Sequence, residues 1–272
     1  MFGSWWLIVT SLCLFVKWGD TQQCGIAECG IQSCPLRRTR LDVDSPARHP
    51  VPAMAGQPSD PFAVRLSSAA FLIVDMQNDF VRVGAPLEVP DTRATIEPIR
   101  KVTRLFREAK RPVVYTRFVT GPQETLLWTW SPQILPPVCC CRLGFRRRYE
   151  DIGSERECMA VIDELAVEPG DRVVDKYWYG GFFRTNLQDI LLSEGVDTVV
   201  IAGTVTQICV EETARGAFHL GFKTVVLSDC VSSFAPDLHA AALKNHAMKF
   251  GMVLDSRELA RRIGARDSID RD

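Results

Sequence analysis

From residue 69 onward the chain alternates between short apolar runs and longer stretches whose apolar residues recur every three or four positions. AFLIVD (70–75) is an unbroken apolar run closed by an acid, the pattern of a strand covered on both faces. Residues 91–110 carry apolar positions at helical spacing and stop just before Arg111-Pro112. PVVYTRF (112–118), RVVDK (172–176), DTVVIAG (197–203), FKTVVLSD (222–229) and GMVLDS (251–256) predict five further strands. MAVIDELA (159–166), NLQDILLSEG (186–195), 207–220 and 236–249 predict the intervening helices, and a short last helix reaches about residue 263. Gly195 and Gly221 supply stop signals for two of these helices. The stretch 119–156 has no period and is rich in aromatics and prolines.

Strand–helix alternation predicts an α/β fold: a doubly wound, mainly parallel six-stranded sheet with helices on both faces, Rossmann-like in plan. No G-x-G-x-x-G follows the first strand, which disfavours the dinucleotide-binding version of that plan. Ligands in such sheets sit outside the carboxyl ends of the strands. Three chemically complementary groups fall there. The first strand ends in Asp75, the strand 172–176 ends in Lys176, and the strand 197–203 leads through a short turn to Cys209. Each alone has an ordinary explanation, as a turn residue, a solvated charge or a small apolar filler. Together they form the cast for nucleophilic catalysis. A helix N-terminus and a neighbouring ammonium are expected to lower the pKa of Cys209. Asp75 would take the thiol proton and return it to a leaving amine, Lys176 would hold the carboxylate, and backbone N–H groups in the turn would cradle the oxyanion.

Composition changes this picture little. The 272 residues carry a formal net charge of −1, with 46% hydrophobic and 24% charged residues, which gives no electrostatic case for nucleic acid or an anionic membrane as partner. The ten cysteines include the run Cys139–Cys141 and show no paired C-x-x-C ligand pattern, so the body of the chain is expected to be reduced and cytoplasmic. Residues 1–53 differ from the rest. WWLIVTSLCLFV (5–16) is apolar but too short to span a bilayer, and it lacks a basic flank and a small-residue cleavage site. They are expected to be an extension, either upstream of a start at Met54 or a targeting segment, with the enzyme domain over 54–264 and a polar tail over 265–272.

IVDMQNDF (73–80), DKYWYGGFFRTNL (175–187) and AGTVTQICVEETARGAFHLGF (202–222), in that order, resemble the three signature blocks of the isochorismatase-like cysteine hydrolases. The resemblance covers about residues 69–256. It implies an isochorismatase-like hydrolase fold and an Asp–Lys–Cys triad carried over onto Asp75, Lys176 and Cys209. It also implies a cis peptide between Thr204 and Val205, aiming the Val205 and Cys209 N–H groups at the oxyanion. Nicotinamidases of this superfamily bind a metal through D-x-H after the second strand. Here that region reads YTRFVTGPQETLLW, and the histidines are His49, His219, His239 and His246, so no metal and no cofactor is expected. The late histidines are expected to be surface or packing residues.

The GFF turn and the CVEETAR helix look most like the ureide branch, which includes ureidoacrylate and biuret amidohydrolases. The implied activity is hydrolysis of a C–N bond in a small amide or ureide through a thioester on Cys209, by a homo-oligomer, a dimer or tetramer. A binding protein on the same fold, a nicotinamidase-type amidase and a redox-active thiol protein remain the alternatives. Phe80 lies over a flat substrate or fills the core. Trp178 and Tyr179 are placed at the pocket mouth. Arg117 binds a substrate carboxylate or carbonyl, or forms a structural ion pair. Gln77 and Asn78 are expected to fix the Asp75 loop. The loop 119–150 is expected to be a lid or a subunit contact, with Cys139–Cys141 as packing.

Overall fold

The computed structural model describes residues 63–122 and 124–264; the expectations for 1–53 and for the tail 265–272 lie outside them. Six parallel strands form the sheet: β1 (Ala69–Val74), β2 (Val113–Phe118), β5 (Arg172–Lys176), β6 (Thr198–Thr204), β7 (Lys223–Ser232) and β8 (Met252–Leu254), in the spatial order β5-β2-β1-β6-β7-β8. The chain builds outward from β1 to one edge, then crosses back to β6 and builds to the other. The order therefore reverses between β1 and β6, and a crevice opens there at the carboxyl ends. β1 and β6 are buried along their whole length, as unbroken apolar runs require when both faces are covered.

The two faces of β1 feed two separate cores. Phe71 and Ile73 pack with Ile99, Val102 and Phe106 of α2 (Thr92–Glu108) and with Leu259 of α7 (Ser256–Arg262). Ala70, Leu72 and Val74 pack with Leu187 and Leu191 of α4 (Leu187–Ser193) and with Ala214 and Ala217 of α5 (Glu211–His219). α6 (Pro236–Lys249) follows β7. Among the described residues, no helix is long and apolar enough to cross a membrane.

Two local expectations are corrected. The segment 159–166 is not an amphipathic helix; only a 3-10 turn forms, at Asp163–Leu165. The backbone of 158–162 instead runs beside the loop after β1. Asn78 N donates to Ala160 O (3.0 Å), Asp79 N to Cys158 O (3.2 Å) and Ile162 N to Met76 O (3.0 Å). Long-range bonds thus override a local helical period. Conversely, a hairpin of β3 (Arg146–Tyr149) and β4 (Ser154–Glu157) stands where no element is expected. Its register sets Arg146 opposite Glu157 and Arg148 opposite Glu155. Cross-strand charge pairs replace apolar alternation there, so a hydrophobicity pattern cannot find it. The helix expected over 207–220 opens as a π-helical turn, Thr206–Val210, before α5.

Candidate active site

Where β6 reaches its carboxyl end beside β1, side chains give way to backbone. Gly203 has φ +114°, and a Cβ built on it would lie 2.0 Å from Val74 O, so only glycine fits. The Thr204–Val205 peptide that follows is cis. Three hydroxyls underpin this turn: Thr92 Oγ1 lies 2.6 Å from Ser232 Oγ, and Ser232 Oγ donates to Thr204 Oγ1 at 3.2 Å. Thr206 Oγ1 donates to Ser232 O (2.9 Å) and stands 2.9 Å from His239 Nδ1. With its one proton committed, the hydroxyl accepts from His239, which fixes the Nδ1–H form of that ring. The turn carries Cys209 to the start of α5, buried at 4% exposure.

Asp75, directly after β1, adopts φ +53° and is fully buried. Its Oδ1 accepts from Thr116 Oγ1 (2.9 Å), and its Oδ2 lies 2.7 Å from Lys176 Nζ. Lys176 is equally buried; it donates to Trp178 O at 3.1 Å and stands 5.3 Å over the Phe118 ring. Its pKa is raised: burial works against the ammonium, and the attraction and hydrogen bond of Asp75, ahead of the contribution of Cys209, outweigh it. Lys176 therefore stays protonated. Asp75 and Lys176 both act electrostatically on the Cys209 thiol. The expected lowering of the thiol pKa is corrected. Burial pushes it up to about 12; Lys176 pulls it down and Asp75 pushes it further up. Burial thus makes the Cys209 thiol hold its proton more tightly than an exposed thiol would.

Above the thiol lies a cleft of about 510 Å³ lined by Phe80, Phe118, Tyr179, Val205, Ile208 and Cys209, within the size range of small-molecule sites. The irregular stretch after β2 contributes Trp130, Ser131 and Gln133 to its rim, and Phe234, after β7, faces them. The sequence reading missed these four. Its one signal was the aromatic density of the 119–150 loop, which does not say where the loop docks.

Phe80 and Tyr179 line the cleft, and Phe80 is also 5% exposed within the core, so its two readings hold together. Arg117 and Trp178 stand outside it. The β2–β5 register places Arg117 opposite Asp175, and the guanidinium grips that carboxylate at 2.7 and 2.9 Å. Trp178 lines a separate groove with Tyr177, Phe183 and Arg184, and only its carbonyl oxygen serves the buried lysine.

The loop carrying Phe80 is locked from below. Gln77 receives the Phe118 N–H (2.7 Å) and donates to Phe118 O and Met159 O (both 2.9 Å); Asn78 donates to Glu157 O (3.0 Å). Asp79, fully buried, accepts from Cys141 N (2.8 Å), Tyr149 Oη (2.7 Å) and Arg147 Nε (3.3 Å). This carboxylate ties the hairpin and the cysteine run to the turn bearing Phe80. Cys139, Cys140, Cys141 and Cys158 are free and buried, as packing residues are. Among the described residues, no group of three or more His, Cys, Asp or Glu is placed to hold a metal ion.

The model of the isochorismatase domain matches residues 69–258. Ureidoacrylate amidohydrolase RutB of Pseudomonas savastanoi pv. phaseolicola is 31% identical over 226 residues, covering 79% of this chain and 91% of its own. Among solved structures, a cysteine hydrolase from Pseudomonas syringae pv. phaseolicola aligns with a TM-score of 0.67 at 28% identity, covering 76% of this chain and 99% of its own. N-carbamoylsarcosine amidase from Thermoplasma acidophilum aligns with a TM-score of 0.55 at 30% identity, covering 70% and 96%. With the family model matched across the sheet and its strand-end crevice, the chain belongs to the isochorismatase domain family.

Proposed function

We propose that the protein is an amidohydrolase that cleaves a C–N bond of a small amide or ureide through a thioester on Cys209. The observation that carries this reading is the buried 2.7 Å contact of Asp75 with Lys176 at the strand ends where the buried Cys209 lines the cleft. Amidohydrolases are among the relatives, as their names state.

Burial raises the thiol pKa, and in this reading attack is concerted with proton transfer to Asp75. The sulfur adds to the carbonyl carbon while Asp75 accepts the thiol proton. Lys176 remains an ammonium throughout and holds the Asp75 side chain in place from 2.7 Å. The backbone N–H groups of Val205 and Cys209 are assigned to the oxyanion, which polarises the carbonyl electrostatically in a water-poor site. Collapse of the adduct breaks the C–N bond, with the proton on Asp75 passing to the leaving nitrogen. Water, deprotonated by Asp75, then attacks the thioester, and the proton returns to sulfur.

The test is ammonia release over a panel of ureides and primary amides, run beside rapid quench and peptide mapping. The reading expects turnover of at least one member and its acyl group on the Cys209 peptide. Turnover without any adduct, undiminished by prior alkylation of Cys209, would overturn it.

A further inference from the structure

The walls of the cleft say what the substrate cannot carry. Among the described residues that line it, none is a lysine, arginine or histidine. Three cations next to lining residues are already engaged. Lys176 is held between Asp75 and Trp178 O beneath Phe118. Arg93 donates to Val81 O and to Glu88 Oε1, each at 2.8 Å. Arg117, the guanidinium at the end of β2, is bound through two nitrogens to Asp175.

The one charged side chain in the lining is itself an acid. Glu88 accepts from Arg93 through Oε1 and from Gly84 N through Oε2 (2.8 Å), so both oxygens have partners. Among the described residues, what remains for a ligand is aromatic and aliphatic surface with uncharged polar groups of Trp130, Ser131, Gln133 and Tyr179. The aromatic rings stand at stacking range: Phe80 and Phe118 have centroids 6.4 Å apart, and Phe118 and Tyr179 6.3 Å.

A carboxylate entering this cleft would lose water, find no cation among the described lining residues and lie near Glu88; a neutral planar group would lose less and pack on the aromatic wall. From this we infer that the cleft selects an uncharged amide or ureide with a flat apolar substituent, and discriminates against a carboxylate-bearing ureide. The inference rests on the proposed use of Cys209 as nucleophile and specifies the substrate class of that site. It separates this chain from the preference that the name of its ureidoacrylate-hydrolysing relatives declares.

Two matched comparisons test it. In the first, 3-ureidoacrylate is set against its methyl ester, which differs in charge but keeps the scissile bond. The ester should show a kcat/KM at least tenfold higher; an equal or higher value for the acid overturns the inference. The second needs no turnover and therefore separates failure of this inference from failure of the proposed reaction. Alkylation of Cys209 by iodoacetamide and by iodoacetate is followed by peptide mapping, each rate divided by that of free glutathione. The neutral reagent should be favoured at least tenfold at Cys209. A ratio at or below that of glutathione overturns the inference even if no substrate is found. Gln133→Arg supplies the cation that the wall lacks and should recover several-fold of the iodoacetate rate; no recovery contradicts the electrostatic explanation.

Discussion

Replacing Lys176 with methionine removes a buried charge while keeping most of the side-chain volume. The ammonium lies 2.7 Å from Asp75 Oδ2, and both side chains are 0% exposed. With an effective dielectric constant near 20, charges this close attract by about 6 kcal/mol, much of which offsets the cost of desolvating them. The variant leaves Asp75 with one strong side-chain donor, Thr116. A carboxyl stranded this way has an escape, since it can take up a proton. Protonating an ordinary aspartate at pH 7 costs about 4 kcal/mol, which caps the loss of stability at that pH. The sign of the pH dependence follows. A carboxyl that is protonated when folded and ionised when unfolded contributes stability at low pH and loses it as pH rises. Lys176→Met should therefore be about 3–4 kcal/mol less stable than wild type at pH 7, with the deficit shrinking by about 1.4 kcal/mol per unit towards pH 5. Asp75→Asn/Lys176→Met, which buries no charge, should recover most of the stability and lose the slope. Neither variant should hydrolyse amides. Urea unfolding between pH 5 and 8 measures all three proteins, with ammonia release as the activity control. A single variant of wild-type stability with no pH slope would refute the buried-pair reasoning.

His246 is buried, and desolvation lowers its pKa to about 4 despite the attraction of Glu211. The folded state thus binds fewer protons than the unfolded chain, and stability should fall as pH drops from about 6.5 towards 4, by up to about 3 kcal/mol. Wild type and His246→Gln compared by urea midpoints at pH 7 and 5 check this; equal losses in both would be wrong for it. Tyr149→Phe removes one of three donors to the buried Asp79 carboxylate and should cost about 1–3 kcal/mol by thermal or urea unfolding. A neutral result would mean that Asp79 does not anchor the hairpin. Treatment with a chelator should leave the hydrolytic rate unchanged, because Arg117 is committed to Asp175 where a metal-using relative needs ligands. Loss of rate restored by zinc would contradict the metal-free mechanism.

The sheet was legible because its strands are buried on both faces. AFLIVD and TVVIAG can be unbroken apolar runs only where helices cover both sides. Asp75, Lys176 and Cys209 stood out as candidates because they end or follow strands, and parallel topology brings strand ends to one edge, where Asp75 does meet Lys176. What failed to show was set by contacts distant in sequence. Asn78 and Asp79 claim carbonyls about eighty residues away, and the helical period of 159–166 gives way to turns that run beside the loop after β1. The hairpin is written in paired charges and not in apolar alternation. Arg117 was read with its alternatives open, and only the register that sets it against Asp175 separates substrate binder from ion pair. The direction of the Cys209 shift was missed for a similar reason. A helix start and a lysine are visible in the sequence, whereas the burial that outweighs them depends on the walls assembled around the sulfur.

The most direct measurement is the kcat/KM of Cys209→Ala on the best substrate of the amide and ureide panel, taken once urea unfolding has shown the variant to be folded. Removing the atom that forms the covalent bond should leave less than about a hundredth of the wild-type value, since loss of the nucleophile removes the covalent route. A folded variant retaining more than that would contradict the thioester route.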